Sequence, residues 1–246
     1  MSNIKVSVRF IETLVTCKPL QRRRHNKPDS DIAAKKAWRR FNKQAIRKSC
    51  YKQQFGLCAY TEVSLDNTVL GNHLEHIAPR SRFPERTFEP HNIILAAMNE
   101  TYAGRLEKQE QFGGHFKKAI FDDTWFISPF SANCEQYFHY CHITGMVSAN
   151  IHLSESEQSK AAKTIETLNL NCKYLVDARL KHLTDLQEHI TTLLNSHESA
   201  HDQQIAFRYF KTEYLAAKER KLPEFISAKR QLFDAIEKQY FGALNN

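Results

Sequence analysis

"HLEHIAPRSRFPERTFEPHNIILAAMNE", residues 73–100, is the stretch on which the reading of this chain turns. It holds His73, His76 and His91, a carboxylate at Glu75 and amides at Asn92 and Asn99. A segment built only to fill a core does not concentrate such groups, because a buried polar group costs free energy unless it finds a partner. Pro79, Pro84 and Pro90 make the middle a loop. Upstream, "GLCAYTEVSLDNTVLGNHLEHIAP" reads as short strands and turns. Downstream, "HNIILAAMNETYAGRLEKQEQF" reads as a helix. The expected order is strand, strand, loop, helix.

The chemistry follows from the residue types. Strand neighbours point to opposite faces, so Glu75 and His76 share a site only if the chain turns at the strand end, as Pro79 favours. His76 is the natural general base near neutral pH. Glu75 offers a hard oxygen to Mg²⁺ or Mn²⁺. Asn92, behind the loop, suits bracing that loop or holding the imidazole. Asn99 suits a second metal ligand. A base that activates water and a cation that stabilises charge on phosphate are the two parts of phosphodiester cleavage. A structural metal site on His73, His76 and His91 is a weaker alternative, since structural sites favour four ligands with Cys among them.

Charge is concentrated. The chain is +8 overall. Residues 18–48 hold twelve Lys or Arg against two Asp, a local +10, so the rest sums to −2. Concentrated positive charge favours a polyanion through counterion release. Arg22, Arg23, Arg24, Arg39 and Arg40 are the expected nucleic-acid contacts. No apolar run approaches the roughly 18 residues of a membrane span, and the first residues lack a signal-peptide core. The expectation is a cytoplasmic protein with no membrane partner. Six scattered Cys without a C-x-x-C pair read as buried thiols rather than a disulfide scaffold.

Residues 4–15 alternate partly, as a strand does. Ser30 is a candidate N-cap for a helix whose Ile32, Ala37, Trp38, Phe41, Ala45, Ile46 and Cys50 share one side, with a basic opposite side. "YFHYCHITGMVSANI" reads as a hairpin turning at Thr144-Gly145. From Ser154 onward the pattern is helical, with Val176, Leu180, Leu183, Leu186, Ile190 and Leu194 at helical intervals. The expected class is α+β: a small strand-and-helix core embedded in a mainly helical protein. The expected divisions are a basic arm and helix (1–50), a core around the histidine-rich stretch (51–120), and a hairpin with C-terminal helices (121–246) that serves as scaffold and partner-docking surface.

"CAYTE", "LEHIAPRSRFP", "HNIILAAMNE", "EQYFHYCHITGMV" and "TIETLNLNCKYLVDAR" together resemble the PtuB-like HNH endonucleases of Septu and retron antiphage systems. The resemblance runs from about residue 38 to 185. It implies that residues 51–120 form a ββα-metal HNH nuclease core, with His76 as general base, Glu75 and Asn99 as metal positions and Asn92 as the bracing amide. Arg80, Arg82 and Arg105 are further phosphate contacts on the same analogy. It also implies an ABC/SMC-type, PtuA-like ATPase as partner and, for the retron branch, a reverse transcriptase with its DNA product. Many relatives carry a structural zinc on two cysteine pairs. Here the first pair reads Cys58-Ala-Tyr-Thr61, and Ala96, Ala97 and Met98 stand where the second would lie. No structural zinc is expected, with Cys58 packed as a small hydrophobe. DNA is the default substrate, with RNA, including transfer RNA, as the alternative. The competing function is a non-catalytic adaptor that binds nucleic acid and docks on the ATPase.

Overall fold

The computed structural model describes residues 17–23 and 25–242. The strand expected over residues 4–15 and Arg24 lie outside the described residues. The class is α+β, with helices and small antiparallel strands sharing one hydrophobic core that runs from Cys17 to Phe241.

After a helical turn at Lys18–Gln21, α1 (Asp31–Arg39) starts where Ser30 caps it, its Oγ accepting from the Ala33 amide at 3.4 Å. The single helix expected here is two, because the chain breaks at Arg40 and restarts as α2 (Gln44–Gln53). The break explains why only part of the apolar set reaches the core. Trp38, Ile46 and Cys50 are buried, whereas Ile32 is 80% exposed and Ala45 also faces water.

β1 (Asn72–His76) pairs antiparallel with β2 (Ile93–Ala97), His76 opposite Ile93 and Asn72 opposite Ala97. The Pro-rich loop connects them, so the order is strand, loop, strand. The helix expected from His91 onward is instead β2 followed by one helical turn at Glu100–Ala103. All five β2 residues are buried. A strand buried on both faces loses the polar–apolar alternation that identifies strands, and "IILAA" then reads equally well as helix. Its outer edge is covered rather than left open: Gln54 donates to the Leu95 carbonyl and accepts from the Leu95 amide, both at 2.8 Å.

Farther on, α3 (Gly113–Lys117) returns to the β1–β2 pair. β3 (Phe138–Tyr140) and β4 (Val147–Ala149) form the hairpin expected at Thr144-Gly145. Gly145 has φ of +73°, and a Cβ there would meet the Val176 carbonyl oxygen at 2.5 Å, so glycine is required. Then come α4 (Glu155–Leu168), α5 (Lys173–Asn195), α6 (Ala200–Leu215) and α7 (Ile226–Phe241). Ser154 and Glu157 form a capping box at the start of α4.

The "TLNLN" piece acts as a clamp. Asn169, left-handed at the end of α4, donates to the Gln109 and Gln111 carbonyls at 2.9 and 2.8 Å. This holds the segment entering α3. Asn171 pins both backbone groups of Val147 in the hairpin. On α5 the expected stripe holds at Leu183, Leu186, Ile190 and Leu194, which are buried, and departs only in the first turns, where Leu175 and Arg179 are buried and Val176 and Leu180 half-buried. Arg179 donates to the Gly145 and Leu170 carbonyls, and its guanidinium lies 5.5 and 5.6 Å from the Tyr140 and Phe225 ring centres. One buried cation thus joins hairpin, clamp and helix.

Lys229 on α7 is buried, its Nζ 5.4 Å from the Tyr214 ring centre. Burial lowers the pKa of its amine to about 8. An unfolded lysine titrates near 10.4, so between these values the folded state binds fewer protons. Stability tied to the neutral amine is full above the unfolded pKa and is lost as pH falls through about 8. Lys229→Met therefore melts above wild type at pH 7, and the gap narrows as pH rises toward 10. Equal gaps at both pH values in calorimetry would contradict this.

Candidate active site

The end of β1, the loop after it, α1 and α3 enclose a cavity of ≈ 300 Å³. Asp31, Lys35, His73, Glu75, His76, Arg80, Ser81, Glu100, His115 and Lys118 are among the residues lining it. Glu75 and His76 both reach this space, although they are neighbours in sequence. His76 is the last residue of β1, and the chain turns away at once.

His76 is buried. Its Nε2 donates to the Thr87 carbonyl at 3.0 Å, which leaves Nδ1 as the basic atom of the neutral ring. Trp38 meets it edge-on, with ring centres 4.5 Å apart. Burial first, then the Arg80 guanidinium, lowers the imidazole pKa to about 3, so the ring is neutral at physiological pH.

Asn92 braces the loop and reaches His76 only through it. Its Oδ1 accepts from the Ala78 amide at 2.6 Å, and its Nδ2 donates to the Ala78 and Arg86 carbonyls at 3.1 and 3.0 Å. These bonds fix both arms of the loop and so place the Thr87 carbonyl that orients the imidazole. A fully buried amide with three bonds is what a polar side chain in a core requires.

Glu75 lies between Lys117 and His73. Lys117, fully buried on α3, places Nζ 3.0 Å from Glu75 Oε1. His73 Nε2 lies 3.5 Å from Glu75 Oε2. Burial works against ionisation of Glu75, but the Lys117 ammonium and His73 outweigh it and bring the carboxyl down to about 2. A side chain on Gly114 would collide with this carboxylate, its Cβ 2.5 Å from the carboxyl carbon. The bare Gly114 is what lets α3 approach.

Asn99 does not enter this space. Its Oδ1 caps the helical turn at Glu100–Ala103 by accepting from the Tyr102 amide at 2.8 Å, and its side chain packs over Gly71. Its neighbour Met98 takes a left-handed backbone, φ 75°. The carbonyl so presented accepts from His73 Nδ1 at 2.6 Å and from His115 Nε2 at 3.2 Å. Non-glycine residues in this region carry roughly 1–3 kcal/mol of strain and collect at functional sites.

The arginines divide. Arg80 lines the cavity, stacked 5.3 Å from the Trp38 ring centre. Arg82 donates to the Ala119 and Phe121 carbonyls and so anchors the loop. Arg105, Arg22, Arg23, Arg39 and Arg40 are exposed. The basic helix α1 packs on the Pro84–Arg86 turn, and this brings Lys35 to the cavity mouth. His91 is exposed and lies tilted against Phe130, ring centres 5.6 Å apart. Cys58 is a buried free thiol.

His115 and Lys117 were not identified from sequence. The "GGHFKK" segment lies about forty residues from β1, and its only signal is a glycine pair ahead of a histidine and lysines. Among the described residues no group of three or more His, Cys, Asp or Glu stands ready to hold a metal ion. Compared with known protein families and with curated proteins, the chain matches none.

Proposed function

We propose that this protein is an HNH-type endonuclease, hydrolysing phosphodiester bonds in nucleic acid with a ββα-metal-like core built from β1, the loop and β2. The observation that carries the reading is a neutral, tautomer-fixed imidazole at His76 beside the ionised Glu75, in a cavity rimmed by Arg80, Lys35 and Lys118. A neutral imidazole accepts a proton from water. Burial and Arg80 hold His76 weakly basic at rest. A phosphate drawn against Arg80 offsets the second cause and raises the basicity of the ring when substrate is in place.

A divalent cation fits one side of Glu75. Lys117 occupies Oε1, while Oε2 lies 3.5 Å from His73 Nε2, and both His73 and Glu75 line the cavity. Such an ion, Mg²⁺ or Mn²⁺, supplies Lewis-acid stabilisation of phosphate charge when bound. The chain's own groups hold the phosphate with Arg80 and take the water's proton at His76. Asn92 keeps the loop from shifting. DNA is the favoured substrate and RNA the alternative. Resemblance to the antiphage nucleases supports an ATPase partner docked on the C-terminal helices. An active nuclease harms its own cell, so a gating partner is expected.

The test is incubation of purified protein, with and without an ATPase of the kind the resemblance implies, with plasmid DNA and total RNA in Mg²⁺, Mn²⁺ or EDTA. Metal-dependent cutting supports the reading. Nucleic-acid binding without cutting under every condition supports the adaptor.

Binding gives a separate prediction. Each phosphate contact contributes about 0.9 to the slope of log affinity against log salt. Replacing Arg22, Arg23 and Arg24 by Ala weakens binding and lowers the slope by up to about 2.7 if each meets one phosphate. An unchanged slope removes this arm from the interface.

A further inference from the structure

We infer that the divalent cation is held by His73 Nε2 together with Glu75 Oε2, and not by Asn99. This inference rests on the nuclease reading and names its metal site.

Three observations meet here. His73 and Glu75 are two apart on β1, so they share a face. The Met98 carbonyl can only accept, so the 2.6 Å contact requires a proton on His73 Nδ1, and the neutral ring then carries its lone pair at Nε2. A metal-ligating histidine is characteristically oriented in this way, its second nitrogen donating to a backbone carbonyl. Nε2 and Oε2 stand 3.5 Å apart. Two ligands at about 2.1 Å from one ion, at tetrahedral to octahedral angles, lie roughly 3.0–3.5 Å from each other.

The surroundings define the site further. Lys117 takes Glu75 Oε1, so the carboxylate binds through one oxygen. His115 packs on His73, ring centres 4.4 Å apart, and shares the Met98 carbonyl. This restricts rotation of His73. Asn99 caps the turn at Glu100–Ala103 and does not line the cavity. Two protein donors leave the remaining positions to water and substrate phosphate. An imidazole ligand shifts preference from Mg²⁺ toward Mn²⁺, Ni²⁺ or Zn²⁺.

The test uses the full chain and Mn²⁺ alone, without substrate. Electron spin resonance counts bound Mn²⁺, and pulsed measurements detect nitrogen coupled to it. Wild type shows imidazole nitrogen coupling. His73→Ala loses the coupling and at least about tenfold in affinity, since losing even a ligand's hydrogen-bond partner typically costs about 10–100-fold. Asn99→Ser, which keeps a helix cap, binds within about twofold of wild type. Mg²⁺ displaces Mn²⁺ only in large excess. Absence of binding, or of nitrogen coupling, in wild type overturns the inference whether or not any variant folds. So does unchanged affinity in a folded His73→Ala. A protein that binds Mn²⁺ through His73 yet never cuts nucleic acid leaves this site standing and defeats the nuclease reading. Cutting without nitrogen coupling does the reverse.

Discussion

Lys117→Met destabilises the protein by about 3–5 kcal/mol, the cost of breaking a buried ion pair from one side. The ammonium is fully buried. It meets Glu75 Oε1 at 3.0 Å and the His76, Ile77 and Lys118 carbonyls at 3.3, 3.0 and 3.4 Å. Methionine fills similar volume but leaves a carboxylate and several carbonyls without their donor. For a chain of this size each kcal/mol moves the melting temperature by roughly 2–4 °C, so the loss is plain in a thermal melt. Pairing it with Glu75→Gln recovers part of the loss, because the uncompensated charge disappears with the carboxylate. A Lys117→Met protein within about 1 kcal/mol of wild type would show that this cation does not organise the site.

His76→Ala lowers cleavage by about 10²–10⁴-fold, the usual contribution of a positioned general base. Among the described residues the ring's hydrogen-bond partner is the Thr87 carbonyl. Its removal also opens space beside Trp38, so some loss of stability accompanies the loss of rate. His76→Asn separates the two effects. An amide keeps a donor for Thr87 but cannot take a proton from water. Its cleavage falls as far as that of His76→Ala, while its melting temperature stays closer to wild type. Cleavage by either variant at near the wild-type rate would remove His76 from the chemistry.

Part of the candidate cavity's lining was legible in the sequence. A carboxylate and an imidazole beside a proline loop marked the place, and the buried amide of Asn92 fits the loop-bracing expected of it. Ser30, Ser154 and the Thr144-Gly145 turn were legible because caps and turns are local devices set by a few residues. What escaped was non-local. β2 hid because it is buried on both faces, so it carries no alternation. Lys117 and His115 hid because α3 is a five-residue helix whose entering segment is held by Asn169, at the far end of the next helix, α4. Arg179 hid because a charged residue on an apolar stripe reads as solvent-facing, whereas here carbonyls and aromatic rings surround it. Asn99 shows the converse hazard. Its place in the order suggested a ligand, while its position just ahead of a helical turn made it a cap.

The central claim is that water, activated at His76, attacks a phosphodiester in the cavity at the end of β1. The most direct measurement is cleavage of a defined nucleic acid in water labelled with heavy oxygen, with mass analysis of the ends. The account predicts the label in a 5′-phosphate, an unlabelled 3′-hydroxyl opposite it, and neither product with His76→Ala. Uncut substrate with every metal and with the ATPase present would contradict it, as would cyclic phosphate ends without label.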